Sequence, residues 1–387
     1  MSYLNIISKR YDKHLLALIF ALCGLGTVML YSASISESLR DSNGLTNTIY
    51  LQSHLKKLGI GLIAMLLLII YDYRKLKPLS PYIISISIGL LILTKITYLL
   101  KGSDSAARWL DIGLISVQTS DIARLSLILY IAYYIDKKRE KIKNFYNGLM
   151  PPIILISLLV LTILFQPDFS TAAIIGLIGF IMLFIGGAKI SHLVSIGAIG
   201  ITALIPLLLM KSYRFNRVMY WLSGLFNTEK TANFESQGHQ MQHSLMSLSN
   251  GGLFGLGPGN SMHKNLFLPE PHNDFIFAII GEELGLIGAI IVLTIFLLIF
   301  QRSIKIAKET TDLFGLMLTI GISISIVIYA FINAAVVTGI FPVTGLPIPL
   351  ISHGGSNLII NMASLGILLN ISKSKKSVNS FNIWKIN

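Results

Sequence analysis

Apolar stretches long enough to cross a bilayer recur along almost the whole chain, and no other feature limits its fold so severely. They begin near Leu15, Leu58, Leu79, Ile122, Met150, Phe169, Ile190, Phe275, Leu313 and Gly354. A hydrocarbon core about 30 Å thick takes about 20 apolar residues in a helix, and lipid offers no partner to an unpaired backbone amide. Each stretch is therefore expected to be helical, which makes the predicted fold an all-α polytopic membrane protein of about ten transmembrane helices. Hydrophobic residues make up 53% of the 387 and charged ones 13%, too little polar surface to cover a soluble body of this size. Length alone would suggest several soluble domains, but the recurring apolar stretches point to a single integral membrane domain, 1–387.

The formal charge of +13 has a topological reading rather than a nucleic-acid one, because the cations are scattered between apolar spans. Alternate segments carry Lys9, Arg10 and Lys13; Arg74, Lys75 and Lys77; Lys137 to Lys143; Lys189; Arg302, Lys305 and Lys308; and Lys373 to Lys385. Most of the 31 basic residues thus fall on one side, as the positive-inside rule requires, which predicts cytoplasmic tails at 1–13 and 372–387. The basic start and the apolar run ending in Ser32-Ala33-Ser34 superficially suggest a cleaved signal, but the run exceeds the usual signal core and further spans follow, so a retained helix is expected. Cys23 is the single cysteine and lies in an apolar run, excluding a disulfide framework, a thiolate zinc site and CxxC redox chemistry.

Between the seventh and eighth predicted helices, an extracytoplasmic loop of about 211–273 is polar and Gly-rich, far beyond ordinary loop length. It ends in Pro269-Glu270-Pro271-His272-Asn273-Asp274, followed by Gly281-Glu282-Glu283-Leu284-Gly285, so four carboxylates fall within fourteen residues. A helix starting near Asp274 puts that carboxylate at the outer rim and Glu282 about 12 Å deeper. Buried carboxylates are costly in hydrocarbon, so Glu282 and Glu283 are expected to line a pocket or pair with a cation. Asp274 is open to two readings, helix N-cap or part of a polar site with Glu270 and His272. Gly281, Gly285 and Gly288 share a helix face and suggest close helix packing. Arg108, Arg214, Arg217 and Lys264 lie in outer segments, where guanidinium and ammonium groups suit phosphate oxygens. The run Gly251 to Asn260 lacks GxGxxG and GKS/T spacing and follows no strand, which argues against a nucleotide site. The eight histidines show no zinc pattern, and the Asp121/Arg124 pair at (i, i+3) reads as structural.

Read together, several stretches resemble the SEDS family of polytopic peptidoglycan glycosyltransferases, which includes FtsW, RodA and SpoVE. They are Tyr31-Ser32-Ala33-Ser34, Ala107-Arg108-Trp109, Gln118-Thr119-Ser120-Asp121, Gln166-Pro167-Asp168, Gly238-His239-Gln240, Gln242-His243-Ser244, LPEPHNDFIF (268–277), GEELG (281–285) and FPVTGLPIPLISHGGS (341–356). Pro258-Gly259-Asn260-Ser261 with Lys264 looks more like the FtsW branch than RodA. The chain departs from many members in having Asp121 and Arg124 for Glu and Lys, Ser170 for Gly, Asn273 for Thr, and His239 and His353 for Tyr.

The resemblance implies a multi-pass protein of the bacterial cytoplasmic membrane that polymerises lipid II, a disaccharide-pentapeptide on undecaprenyl pyrophosphate, into β-1,4-linked strands at the outer face, in septal wall synthesis during division. Asp274 matches the family's essential aspartate and would serve as general base for the acceptor 4-hydroxyl, with inversion at the donor carbon. Arg108, Arg214, Arg217 and Lys264 would stabilise the departing pyrophosphate, and Glu270, His272, Gln240 and Ser244 would bind or orient substrate. No cofactor motif is present, although a divalent cation such as magnesium would be compatible with the pyrophosphate. The resemblance also implies a class B penicillin-binding protein as partner, within the division or elongation machinery. The competing readings are an elongation polymerase like RodA, a lipid II flippase or other transporter, and a noncatalytic scaffold. A transporter would use intramembrane carboxylates and interrupted helices.

Overall fold

The computed structural model describes residues 11–101, 108–112, 115–209, 212–225, 235–262 and 272–374. Helices α1 (Lys13–Asp41), α2 (Ile49–Ile70) and α3 (Leu76–Lys101) lead to a short antiparallel pair, β1 (Trp109–Ile112) and β2 (Ile115–Gln118), with Trp109 opposite Gln118. Then come α4 (Thr119–Lys138), α5 (Met150–Leu164), α6 (Phe169–Ile185), α7 (Ile190–Leu209), α8 (Ser212–Leu225), α9 (Glu235–Gly251), α10 (Ile276–Glu309), α11 (Leu313–Val337) and α12 (Gly355–Ser372).

Every apolar stretch of the sequence is helical. Among the described residues, seven helices are long and apolar enough to cross a membrane: α1, α2, α3, α10, α11, α12 and the segment Phe145–Leu164 that contains α5. The chain is a multi-pass membrane protein. α6 is apolar but shorter, and α4 carries Asp121 and Arg124 near one end and Lys137 and Lys138 at the other. Helix starts follow the capping rule: Asp12, Asp168 and Asp312 each accept a hydrogen bond from a backbone N–H three residues on.

α11 and α12 form the enclosed centre, whereas α2 and α3 turn much of their apolar surface outward, as a lipid-facing helix does. α12 packs along α2, α10 along both α11 and α1, and α4 against α3 and α11. The expected long loop is not structureless: α8 and α9 occupy much of it. α8 is amphipathic, and Arg217 and Trp221, one turn apart, bond to the carbonyls of Val343 and Gly339. These two bonds fix α8 on the 338–354 segment, which joins α11 to α12.

Candidate active site

The site is built around a break in α10. Gly285 has φ 69° and ψ −172°, which interrupts the helix inside the membrane and leaves backbone groups on both sides without intrahelical partners. The glycine run after α9 supplies them. Leu256 and Gly257 donate their N–H groups to the carbonyls of Glu282 and Glu283, and Leu286 and Ile287 donate to the carbonyls of Gly252 and Leu253, at 2.9 to 3.3 Å. A Cβ at Gly255 would lie 2.2 Å from the Glu283 oxygen, and one at Gly251 would lie 2.0 Å from that of Gly281. Only glycine allows this approach. The structure therefore refines the helix-packing expectation, since Gly285 serves a chain interruption that spacing alone did not reveal.

Glu282 and Glu283 are buried on this fragment. The Ser261 hydroxyl and Met262 N–H donate to Glu282, while the Ser32 hydroxyl and Ser261 N–H donate to Glu283. Hydroxyls and backbone amides are thus among the partners of the two carboxylates that the sequence expected to line a pocket or pair with a cation.

Asp274 lies in the turn 272–275 before α10. The helix cap is Phe275, so Asp274 is not the N-cap. Asn333 on α11 donates one amide to the Asp274 carbonyl at 2.8 Å and to Leu346 O at 2.7 Å, tying the turn to the 338–354 segment. The Asp274 carboxylate packs against Gly345, where a Cβ would be 3.5 Å from Oδ2. Gly345, at φ 70°, belongs to the wall of a cavity of about 440 Å³ that is also lined by Arg108, Asp168 and Arg217.

Arg108 enters this cavity from the segment before β1. Its Nη2 donates to Pro167 O at 2.9 Å and its Nη1 lies 3.8 Å from Asp168 Oδ1. Asp168 also accepts from Gln118 Nε2 at 3.1 Å. Next to it lies an enclosed network in which Asp121 accepts from Ser356 Oγ at 2.7 Å and Asn357 Nδ2 at 3.1 Å, with Arg124 Nη2 at 3.6 Å. Arg124 also sits 4.3 Å from the Tyr329 ring centroid. Hydroxyl and amide donors satisfy Asp121 here, while Arg124 is paired with it in charge, bonded through Nη2 to Asn361 Oδ1 at 3.3 Å, and leaves Nη1 buried without a hydrogen-bond partner among the described residues.

On the other flank of the Asp274 turn is a cluster that sequence reasoning did not assemble. His272 Nδ1 pairs with Glu37 Oε2 on α1, and its ring lies 4.3 Å from Tyr50 and 5.4 Å from His353, centroid to centroid. Lys57 Nζ is 3.2 Å from His353 Nε2, and the His353 N–H donates to His272 O at 3.0 Å. Burial, then the Lys57 charge, lowers the His353 pKa to about 3. The departure of His353 from the family pattern was the one available signal. Besides His272, its partners Tyr50, His54 and Lys57 come from α2.

Of the candidate residues, Arg108, Arg217 and Asp274 converge on the cavity region. His272 faces Glu37 instead. Gln240 is half-buried on α9, and Ser244 is fully buried with its hydroxyl donating to Val337 O at 2.9 Å, apart from the cavity. Lys264 and Glu270, and the side chain of Arg214, lie outside the described residues. Among the described residues, no group of three or more His, Cys, Asp or Glu is arranged to hold a metal ion.

A family model described as cell cycle protein, covering FtsW, RodA and SpoVE, matches residues 13–377. The chain belongs to this family. It is 35% identical over 368 residues to a Geobacter sulfurreducens protein named "Probable peptidoglycan glycosyltransferase FtsW", covering 95% of this chain and 96% of that one. Stage V sporulation protein E of Bacillus subtilis is 34% identical over 362 residues, covering 94% and 97%. Among solved structures, a chain of a peptidoglycan synthase complex described as coordinating polymerization and crosslinking superposes with a TM-score of 0.76 at 25% identity, covering 94% of this chain and 98% of that one. The FtsW/RodA/SpoVE match takes in both the broken helix and the arginine-lined cavity.

Proposed function

We propose that this chain is a peptidoglycan glycosyltransferase that polymerises lipid II into β-1,4-linked glycan at the outer face of the bacterial cytoplasmic membrane. The observation that carries the reading is the placement of the Asp274 carboxylate against Gly345, in the wall of a cavity that also holds two arginines. The acceptor 4-hydroxyl must lose its proton as its oxygen attacks the donor anomeric carbon, and Asp274 takes that proton. The bond to pyrophosphate breaks on the opposite face, so configuration inverts. The leaving group departs as an anion and needs no acid, which is why one carboxylate suffices. Arg108 and Arg217, with Arg214 and Lys264, stabilise the pyrophosphate charge. Glu270 and Gln240 bind or orient substrate around them, His272 orients Asp274 from the Glu37 side, and Ser244, buried against Val337 O, supports the wall from behind. The proton accounting calls for no cofactor, and a divalent cation would add to the arginine charge at the pyrophosphate.

In this reading all ten apolar helices span the membrane as one domain, with both termini cytoplasmic and α8 and α9 outside, in keeping with the basic residues of alternate segments. The similarity to FtsW and SpoVE relatives favours a septal role over elongation, and the similarity to a synthase complex that couples polymerization to crosslinking favours a class B penicillin-binding protein as partner. A transporter would also use an interrupted helix, and α10 is interrupted. Its freed backbone groups, however, are taken up by Gly252 to Gly257 and are not left to a cargo.

The test is glycan formation from lipid II by the full-length protein, alone and with a class B partner, comparing wild type with Asp274→Asn. Polymer from wild type and none from the folded variant is expected. Equal polymer from both would remove Asp274 as the base. No polymer from either would return the question to lipid II translocation in vesicles.

A further inference from the structure

We infer that Glu37 is a positioning residue for the transfer reaction, acting on Asp274 through His272. This rests on Asp274 being the catalytic base. Glu37 lies near the end of α1, far in sequence from the turn it touches, yet its side chain is only 14% exposed and its Oε2 meets Nδ1 of a His272 that is 6% exposed. Its other oxygen, Oε1, lies 3.8 Å from the Arg40 guanidinium, so the two carboxylate oxygens are directed to different partners.

His272 is held from three further directions. Tyr50 packs on its ring at 4.3 Å and is itself anchored by its hydroxyl donating to Asp41 at 2.6 Å; the His353 ring lies edge-on at 5.4 Å; and the His353 N–H donates to the His272 carbonyl. Two residues on, Asn333 fixes the Asp274 carbonyl. The turn 272–275 therefore has little freedom of its own, and the Glu37–His272 contact ties it to α1. Without the Glu37 carboxylate, the buried Nδ1 loses the oxygen packed against it, and the ring must shift or draw in water. A base displaced by about 1 Å from its near-attack position loses about 100-fold in rate. Substrate binding depends on the arginine cavity on the other flank and should be little changed.

The experiment measures lipid II polymerisation against lipid II concentration, using the full-length protein with its class B partner. Glu37→Ala is expected to lower kcat by about 10- to 100-fold with KM changed less than about threefold. Glu37→Gln, which keeps the length of the side chain and an oxygen beside Nδ1, should stay within about fivefold of wild type. Because the two residues act as a unit, Glu37→Ala combined with His272→Gln should be no slower than the slower single variant. Wild-type kcat in Glu37→Ala, a change confined to KM, or multiplying effects in the double variant would each overturn the assignment. Should Glu37→Ala not accumulate in membranes, Glu37→Asp decides, because it keeps the charge but withdraws it by one methylene: reduced kcat at unchanged thermal stability supports the role and wild-type kcat refutes it. Asp274→Asn runs alongside. Activity in that variant defeats the base on which this inference rests, whereas an inactive Asp274→Asn beside a fully active Glu37→Ala defeats the Glu37 role alone.

Discussion

Replacing Gly285 by alanine should unfold the outer half of α10, and the structure sets the size of the effect. At φ 69° and ψ −172°, a region essentially confined to glycine, an L-residue costs about 1–3 kcal/mol. The added Cβ would also lie 2.4 Å from Gly255 N and 2.5 Å from Leu253 O, backbone atoms that cannot rotate away. Separating the two chains removes four hydrogen bonds, Leu256 to Glu282, Gly257 to Glu283, Leu286 to Gly252 and Ile287 to Leu253. At about 1 kcal/mol net each, with the backbone strain added, the loss is about 5–7 kcal/mol. Gly255→Ala disrupts the same four bonds, so the double variant should lose far less than the sum of the single losses. Gly59 on α2 is the control: a Cβ there meets nothing within 4 Å, and alanine should be neutral or raise stability by up to about 1 kcal/mol. Unfolding in mixed micelles, with melting temperature as a second measure, compares the three. If Gly285→Ala melts with the wild type while Gly59→Ala behaves as expected, the argument that the glycine run completes the broken helix is wrong.

Three further outcomes follow from the same geometry. Arg108→Ala and Arg217→Ala should each weaken lipid II turnover by about 10- to 100-fold, the worth of one or two charged hydrogen bonds, and Arg108→Lys should not restore it, because one guanidinium serves both Pro167 and Asp168; polymerisation kinetics check this. His353 binds a proton near pH 6.5 when unfolded but only at about 3 when folded, so its contribution makes the protein less stable as pH falls through that window, by about 2 kcal/mol at about pH 5 relative to neutral pH, and His353→Gln should remove that part of the slope in unfolding measurements. Glu282→Gln keeps an acceptor for Ser261 and Met262 and should keep polymerase activity, whereas Glu282→Ala should lower stability by about 1–3 kcal/mol per stranded donor; an inactive but stable Glu282→Gln would give this carboxylate a chemical role.

The helices were legible because lipid leaves the backbone no alternative, and every apolar stretch named from the sequence is helical. The region 211–273 was not, because length and glycine content describe a loop equally well whether it is open or folded. The stretch Ser212 to Leu225 carried a usable signal in the one-turn spacing of Arg217 and Trp221, but the carbonyls they bond lie far along the chain. The Asp274 turn was legible as a knot of carboxylates beside a span. The break at Gly285 was not, since GEELGLIG has the spacing of an ordinary packing face. A positive φ there becomes necessary only when Gly251 to Gly257 arrives alongside. Glu37 was hidden for a related reason: it follows a serine-rich helix end with no motif, and its role exists only once α1 meets α10.

These three features make one device. An uninterrupted α10 would satisfy its own backbone and would give the 251–262 segment nothing to bond. Breaking the helix creates four backbone groups that need partners at membrane depth, and the glycine run supplies them while delivering Ser261 and Met262 to Glu282. The two buried glutamates then bind that segment and, through Ser32, α1. The same α1 carries Glu37 to His272 at the head of α10. The outer half of α10 is thus clamped at both ends by one neighbouring helix, with Asp274 just above it and held again by Asn333. A general base gains most from such confinement, because its rate depends on where its oxygen sits more than on how tightly the substrate is held. This accounts for the carboxylates that gather here when the proposed chemistry calls for a single one: in that reading Asp274 takes the proton, while Glu282 and Glu283 of the same stretch, and Glu37 from α1, keep it where it can.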